Sequence, residues 1–419
     1  MNIHQSLTGE FALLERYRAV RAATEALAAP LSPEDQNLQP MADASPVKWH
    51  RAHTGWFFET FVLKAREGYR EFDPAFAVLF NSYYGAVGPR HARPERALLS
   101  RPSTAEVAAY RAHVDAAMES LLAGTLDEGT RAIVELGLNH EEQHQELILT
   151  DILNAFARNP LKPAYGEFRA APSSSLAPRE FESFDGGLVE IGHAGEGFAF
   201  DNEGPRHQAM LIPFRLATTL VTNREWLEFM SAGGYREERY WLSDGWQCAQ
   251  AEGWQAPLYW ERRDSEWSSM TLAGLQPIDL DAPVAHISFY EADAFARFRG
   301  KRLPTEFEWE HAADSLDPNA GNFRNSGFLR SLPANGSGLQ QMFGDVWEWT
   351  ASAYSPYPGY RAADGAIGEY NGKFMINQMV LRGSSLATPA GHSRESYRNF
   401  FYPSARWQFS GLRLAEFEH

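Results

Sequence analysis

NHEEQHQE, residues 139–146, decides how the first half of this chain is built. His140 and His144 stand four apart, so on an α-helix they lie one turn apart on the same face. The flanking residues call for that helix: Ile133, Leu136, Leu147 and Leu153 recur at roughly helical spacing, and both histidines fall inside the stripe. Such a pair can hold one divalent ion from a single rigid element. A third donor from a neighbouring helix would complete a facial set of nitrogens, and WHRAHTGWFFE, residues 49–59, offers one in His53. Three histidines on one face leave coordination positions open for substrate or oxygen. The plainer alternative is a pair of hydrogen-bonded core histidines, and spacing alone does not separate the two.

Outward from this stretch the pattern stays helical. One helix is expected over about residues 5–28, ending before AAPLSPEDQNLQP. Ser45 and Pro46 read as the N-cap and first-turn proline of a helix carrying Trp49, His53, Trp56, Phe57 and Phe61. Ser103 and Glu106 fit a capping box for a helix running toward Leu122, and the histidine helix spans roughly Asp127 to Arg158. Four such helices read as an antiparallel bundle. Glu141, Glu142 and Glu146 fall on other faces of the histidine helix, as solvated charges or contacts outside the ligand set. FNSYYGAVGPRHARPERALLSRPS, residues 80–103, is too long and too aromatic for a mere connector.

Residues 161–180, rich in Pro and Ser, mark a linker between a bundle over 1–160 and a second domain over 181–419. There, strand-like pieces (LVEIG, QAMLIPFRLA) alternate with Gly, Pro and aromatic loops, and two brief helices appear at TNREWLEFMSAG and SFYEADAFARFRG. Periodicity implies an irregular α+β domain.

Composition bounds the function. A formal charge of −16 and the absence of a basic run argue against nucleic acid or an anionic membrane surface as partner. No stretch approaches the ~18 apolar residues of a membrane span. The single cysteine, Cys248, excludes an internal disulfide framework, and MNIHQSLTGEF lacks the marks of a signal peptide; a soluble cytoplasmic protein is expected.

Several motifs are specific enough to carry a resemblance. GKRLPTEFEWEHAA (300–313), GDVWEWTAS (344–352) and SGLRLA (410–415) resemble the formylglycine-generating-enzyme or sulfatase-modifying-factor family, with its C-type-lectin-like fold. The half with the three histidines resembles a DinB-like four-helix bundle. The fusion, with SPVKWHRAHTGWFFE, FNSYY, HEEQHQEL and YRNFF in this order, resembles the ergothioneine-biosynthesis sulfoxide synthases (the EgtB family) over nearly the whole chain.

That resemblance implies a non-haem iron(II) oxidoreductase that uses O2 to join a thiol sulfur to C2 of the hercynine imidazole, leaving a sulfoxide. It implies His53, His140 and His144 as iron ligands, Gln143 facing hercynine, and Arg90 and Arg93 of GPRHAR clamping the thiol substrate's carboxylate. Arg96 could help that clamp but is left as structural. Tyr83 and Tyr84 are the implied catalytic pair, phenols able to donate a proton or an electron and steer oxygen toward carbon–sulfur bond formation; aromatic core packing is their plain alternative. Asn399 matches the hercynine end of the pocket, with Phe400 and Phe401 as walls, and Phe400 and Trp407 as aromatic partners for a trimethylammonium group. RLPTEFEWE and GDVWEWT are scaffold. Relatives acting on γ-glutamylcysteine often carry Asp where this chain has Phe401, so free cysteine is the expected sulfur donor and γ-glutamylcysteine the alternative.

Competing expectations are narrower. A copper-type formylglycine-generating enzyme needs paired cysteines, and only Cys248 is present. An ovothiol-type synthase typically carries a further methyltransferase domain for which 419 residues leave no room, while a selenoneine synthase shares the architecture. A non-catalytic lectin-like binding module, or a zinc-dependent thiol transferase built on the bundle alone, are the readings from other classes.

Overall fold

The computed structural model describes residues 3–171, 179–195, 197–369 and 371–418. Contacts divide the chain into two units, Met1–Asn159 with Ala363–Tyr370, and Pro160–Ala362 with Asn371–His419. Of the stretch expected as a linker, residues 172–178 lie outside those described.

The first unit is helical: α1 (Ile3–Ala28), α2 (Val47–Phe58), the single turn α3 (Phe76–Leu79), α4 (Thr104–Leu122) and α5 (Glu128–Arg158). Helix α4 opens with the capping box of Ser103 and Glu106, and Asp127 caps α5 by accepting from the Thr130 N–H at 2.8 Å. Helix α2 corrects the reading of its start. Pro46 is its N-cap and makes no side-chain cap; Ser45 is drawn away, its N–H donating to Asp151 Oδ2 at 2.8 Å while its hydroxyl accepts from Arg96. Every residue of α2 is buried, as befits a helix packed against both α4 and α5. It runs on into a wide π-type turn, Glu59–Leu63, where Glu59 accepts from the hydroxyls of Tyr69 and Tyr110, each at 2.7 Å.

Two further features fix α5. Glu141 is not a solvated charge: it is fully buried, bonded to Arg21 of α1 (2.7 Å), Arg111 of α4 (2.9 Å) and the Thr24 hydroxyl (2.6 Å). Burying a charged carboxylate is costly unless it is paired or hydrogen-bonded, and here the pairing ties three helices together. Glu142, by contrast, meets Arg16 at 3.3 Å near the surface. One turn before His140, Gly137 faces α2 so closely that a Cβ there would lie 2.6 Å from Phe58 and 2.8 Å from Phe57.

The second unit contains β1 (Phe181–Phe184), β2 (Gly187–Ile191), β3 (His207–Leu211), β4 (Phe214–Ala217), β5 (Trp260–Arg263) and β6 (Glu266–Thr271). Further along come β7 (Gly274–Pro277), β8 (Trp347–Ala353), β9 (Met379–Arg382), β10 (Asn399–Phe401), β11 (Ser410–Gly411) and β12 (Ala415–Phe417). They form small sheets ordered β1-β4-β12, β10-β9-β8-β11, β2-β3 and β5-β6-β7. QAMLIPFRLA yields two strands, because Pro213 cannot donate to a ladder. Helices α6 (Asn223–Ser231) and α8 (Phe289–Phe298) form where expected, each with a Ser/Thr–Glu capping box. Helices α7 (Ser243–Ala251) and α9 (Glu306–Ala313) were not anticipated.

With so little regular structure, buried ion pairs brace this unit. Arg382 meets Glu306 and Glu310, Arg398 meets Glu306, and Arg413 meets Glu348, all within 3.0 Å. RLPTEFEWE and GDVWEWT supply those carboxylates together with the fully buried Trp309, Trp347 and Trp349, so both motifs are framework. Among the described residues no helix is long and apolar enough to cross a membrane.

Candidate metal centre

His53 of α2 and His140 and His144 of α5 converge in the first unit, one ring nitrogen of each within 4.8 Å of the others, and all three are buried. The hydrogen bonds around them determine which nitrogens are bare. His53 Nδ1 lies 2.6 Å from the Phe80 carbonyl, an acceptor, so Nδ1 carries the proton and Nε2 its lone pair. That Nε2 faces His140 Nε2 at 3.3 Å. Nitrogens sharing one ion at about 2.1 Å would stand roughly 3–3.5 Å apart, so the spacing suits a common cation.

His144 is oriented by a longer chain. Asp151 Oδ2 lies 3.1 Å from His50 Nε2, and His50 Nδ1 lies 2.8 Å from His144 Nδ1. The carboxylate accepts from His50 Nε2–H; neutral His50 then accepts at Nδ1 from His144 Nδ1–H. His144 Nε2 is left with its lone pair. Carboxylate–histidine chains of this kind fix tautomers and make a ligand more basic.

Charge favours the same picture. Burial, then the neighbouring His140, pulls His53 well below the ordinary histidine value, and burial takes His140 down to about 3. Burial and the two other cluster histidines do the same to His144. Neutral imidazoles are the form that ligates metal. Trp49 and Trp56 sandwich the His53 ring, at 4.5 and 5.4 Å between centroids with interplanar angles of 14° and 16°. Trp49 is pinned in turn by an indole hydrogen bond to the Leu79 carbonyl at 3.1 Å. Three neutral nitrogens without a thiolate or carboxylate suit a borderline divalent ion such as Fe(II), so the residues present fit iron.

The other residues singled out from sequence lie as follows. Tyr84 is buried, its ring 5.6 Å from Trp56 and 5.3 Å from Tyr83. Burial pushes the Tyr83 phenol up to about 12 against the opposing pull of Arg93 and Arg96. Arg90 and Arg93 are exposed and bond to backbone carbonyls, those of Ser82 and Asp43. Gln143 is partly buried on α5. In the second unit, Asn399 Oδ1 accepts from the Phe400 N–H at 2.8 Å, Phe400 stacks on Tyr354 at 4.0 Å, and it is Phe401 that meets Trp407, at 5.8 Å. Alternation along β10 puts Phe400 on the opposite face from Asn399 and Phe401.

Sequence reasoning missed His50 and Asp151. Both carried a signal: His50 sits three before His53 on the same helix, and Asp151 sits seven after His144, two turns along one face. It also missed that FNSYY supplies the carbonyl that orients His53.

A bundle presenting three neutral imidazoles, joined to an ion-pair-braced α+β unit, defines a class: a DinB-type metal bundle fused to a sulfatase-modifying-factor-type domain. Family models match accordingly, the DinB superfamily over residues 16–148 and the sulfatase-modifying factor enzyme 1-like domain over 169–326 and 320–417. Hercynine oxygenase of Mycobacterium tuberculosis is 32% identical, over 88% of this chain and 91% of that protein. Hercynine oxygenase of Mycolicibacterium smegmatis is 34% identical over the same shares. The formylglycine-generating enzyme of Streptomyces coelicolor, 31% identical, is matched by only 57% of this chain. The chain belongs to the hercynine oxygenase family.

Proposed function

We propose that this protein is a non-haem iron(II), O2-dependent sulfoxide synthase that joins the sulfur of cysteine to C2 of the hercynine imidazole. The carrying observation is the buried three-histidine cluster in a chain of hercynine oxygenase descent. When bound, the iron supplies open coordination positions and the redox centre for the coupling. The overall balance is thiol plus C2–H plus O2 giving sulfoxide plus water, one oxygen atom going to sulfur and the other leaving reduced.

The chain's own residues have separable tasks. His53, His140 and His144 hold the ion, and the Phe80 carbonyl and the His50–Asp151 pair aim two of them. Tyr83 and Tyr84, packed against each other, are assigned the proton or electron donor's role at a phenol Oη. Arg90 and Arg93, which bond to the backbone carbonyls of Ser82 and Asp43, are assigned the donor's carboxylate. Gln143, beside ligand His144, is assigned to hercynine. The apolar Phe401 supports free cysteine over γ-glutamylcysteine, because it offers no counter-charge to an extra ammonium. The lone Cys248 supports a cytoplasmic location.

Aerobic turnover of hercynine with cysteine and with γ-glutamylcysteine in parallel, products identified by mass, tests the reading. A sulfoxide adduct with higher kcat/KM for cysteine is expected. Absence of any hercynine–thiol adduct from the iron-loaded protein would overturn it; preference for γ-glutamylcysteine would overturn only the donor.

A further inference from the structure

Arg96 has no task in the chemistry above, and its surroundings are odd for a structural arginine. It lies in the tight turn Arg93–Leu98 and is only 3% exposed. Its guanidinium sits 3.4 Å over the centre of the Trp49 ring, the same ring that stacks on ligand His53. Nη1 donates to the Ser45 hydroxyl at 2.8 Å and Nη2 to the Ser82 hydroxyl at 3.3 Å, while Nε, equally buried, meets no acceptor.

Both acceptors are neutral. Among the described residues Arg96 forms no ion pair with a carboxylate, although the chain has a formal charge of −16 and no shortage of them. Asp151 commits its Oδ2 to His50 and to the Ser45 N–H. The bundle's other deeply buried arginines behave differently: Arg21 and Arg111 share Glu141, and Arg51 meets Glu25. Asp151 acts on Arg96 only through space; a buried guanidinium with no directly bonded counter-charge is unfavourable, and a trapped water would satisfy Nε without neutralising it. Arg90 and Arg93, earlier in the same loop, also lack a carboxylate partner among the described residues. The loop thus carries unpaired cations inward from the surface to a position one aromatic ring away from His53.

We infer that Arg96 is a specificity-determining residue that receives an anionic group of the sulfur donor, its carboxylate or its thiolate. This rests on the function proposed above. Nε is the one nitrogen of the fork with no partner, and an anion bonded there supplies the direct counter-charge that Arg96 lacks.

The test compares iron-loaded wild type, Arg96→Met and Arg96→Lys with hercynine present and O2 excluded. Each is titrated with cysteine, with serine (the carboxylate without the thiol) and with cysteamine (the thiol without the carboxylate). Iron content and aerobic KM values for both substrates are measured alongside. Arg96→Met is expected to bind cysteine about ten- to a hundredfold more weakly, with iron content and the KM for hercynine unchanged, and Arg96→Lys to fall between. Parallel weakening of serine identifies the carboxylate as the anion; parallel weakening of cysteamine identifies the thiolate. Cysteine affinity within twofold of wild type overturns the inference, as does equal weakening of cysteine and hercynine together with lost iron, the mark of a brace for Trp49. If Arg96→Met fails to fold, Arg96→Lys decides by the same constants. Failure of Arg96 as an anion site leaves wild-type turnover intact, whereas failure of the functional reading abolishes it.

Discussion

Glu141→Gln is the substitution whose effect the structure sizes best. One carboxylate serves two buried arginines, and the amide would take that shared charge from both, leaving Arg21 only Asp115 and Arg111 only the more exposed Glu25. Burial alone would raise the Glu141 carboxyl, but Arg21 and Arg111, aided by the Thr24 hydroxyl, override it and hold the group at about 2 rather than 4.5. At 1.36 kcal/mol per pH unit that difference is ~3 kcal/mol, within the roughly 3–5 kcal/mol typical of breaking a buried pair. Because the folded value lies below the unfolded one, the stabilisation is complete above pH 4.5, drains away as pH falls, and is gone below about 2. Urea unfolding of the metal-free protein, followed by far-ultraviolet circular dichroism, removes the separate contribution of bound metal. The variant should be ~3 kcal/mol less stable than wild type at pH 7, with the gap shrinking to less than half near pH 3. A gap below ~1 kcal/mol at pH 7, or one that does not narrow on acidification, would refute the argument that the pair is charged and mutually dependent.

Replacing His53, His140 or His144 by Ala should lower iron content and abolish sulfoxide formation; full iron and activity in all three would remove them as ligands. His50→Phe or Asp151→Asn should leave a folded protein whose iron affinity, read by chelator competition, is about ten- to a hundredfold weaker, and unchanged affinity would show the chain from Asp151 to His144 to be incidental. Tyr83→Phe or Tyr84→Phe should retain iron yet divert turnover toward oxidised thiol such as sulfinate. An unchanged product ratio in both single variants and the double variant would make them packing residues.

The bundle was legible because its signals are local. Apolar spacing, the Ser103–Glu106 box and the His140–His144 interval all act within a few residues. Ser45 misled for the opposite reason: it has the chemistry of a cap, but Asp151 and Arg96, remote in sequence, compete for it and win. Glu141 was misjudged likewise, since its partners stand 120 and 30 residues away. In the second unit, long-range pairs such as Arg413 with Glu348 replace periodicity, so its motifs and the strands within LVEIG and QAMLIPFRLA could be read while the later short strands and α7 and α9 could not.

Gly137 gives the centre its bite. A glycine in mid-helix costs about 1 kcal/mol relative to alanine, and here that weakness lets α2 and α5 approach until a single methyl would collide with Phe57 and Phe58. The span between His53 and His140, one on each helix, is therefore set by a residue that binds nothing. A side chain at Gly137 forces Phe57 and Phe58 or the helices themselves to shift, so such a variant is expected to weaken metal binding while keeping all three histidines.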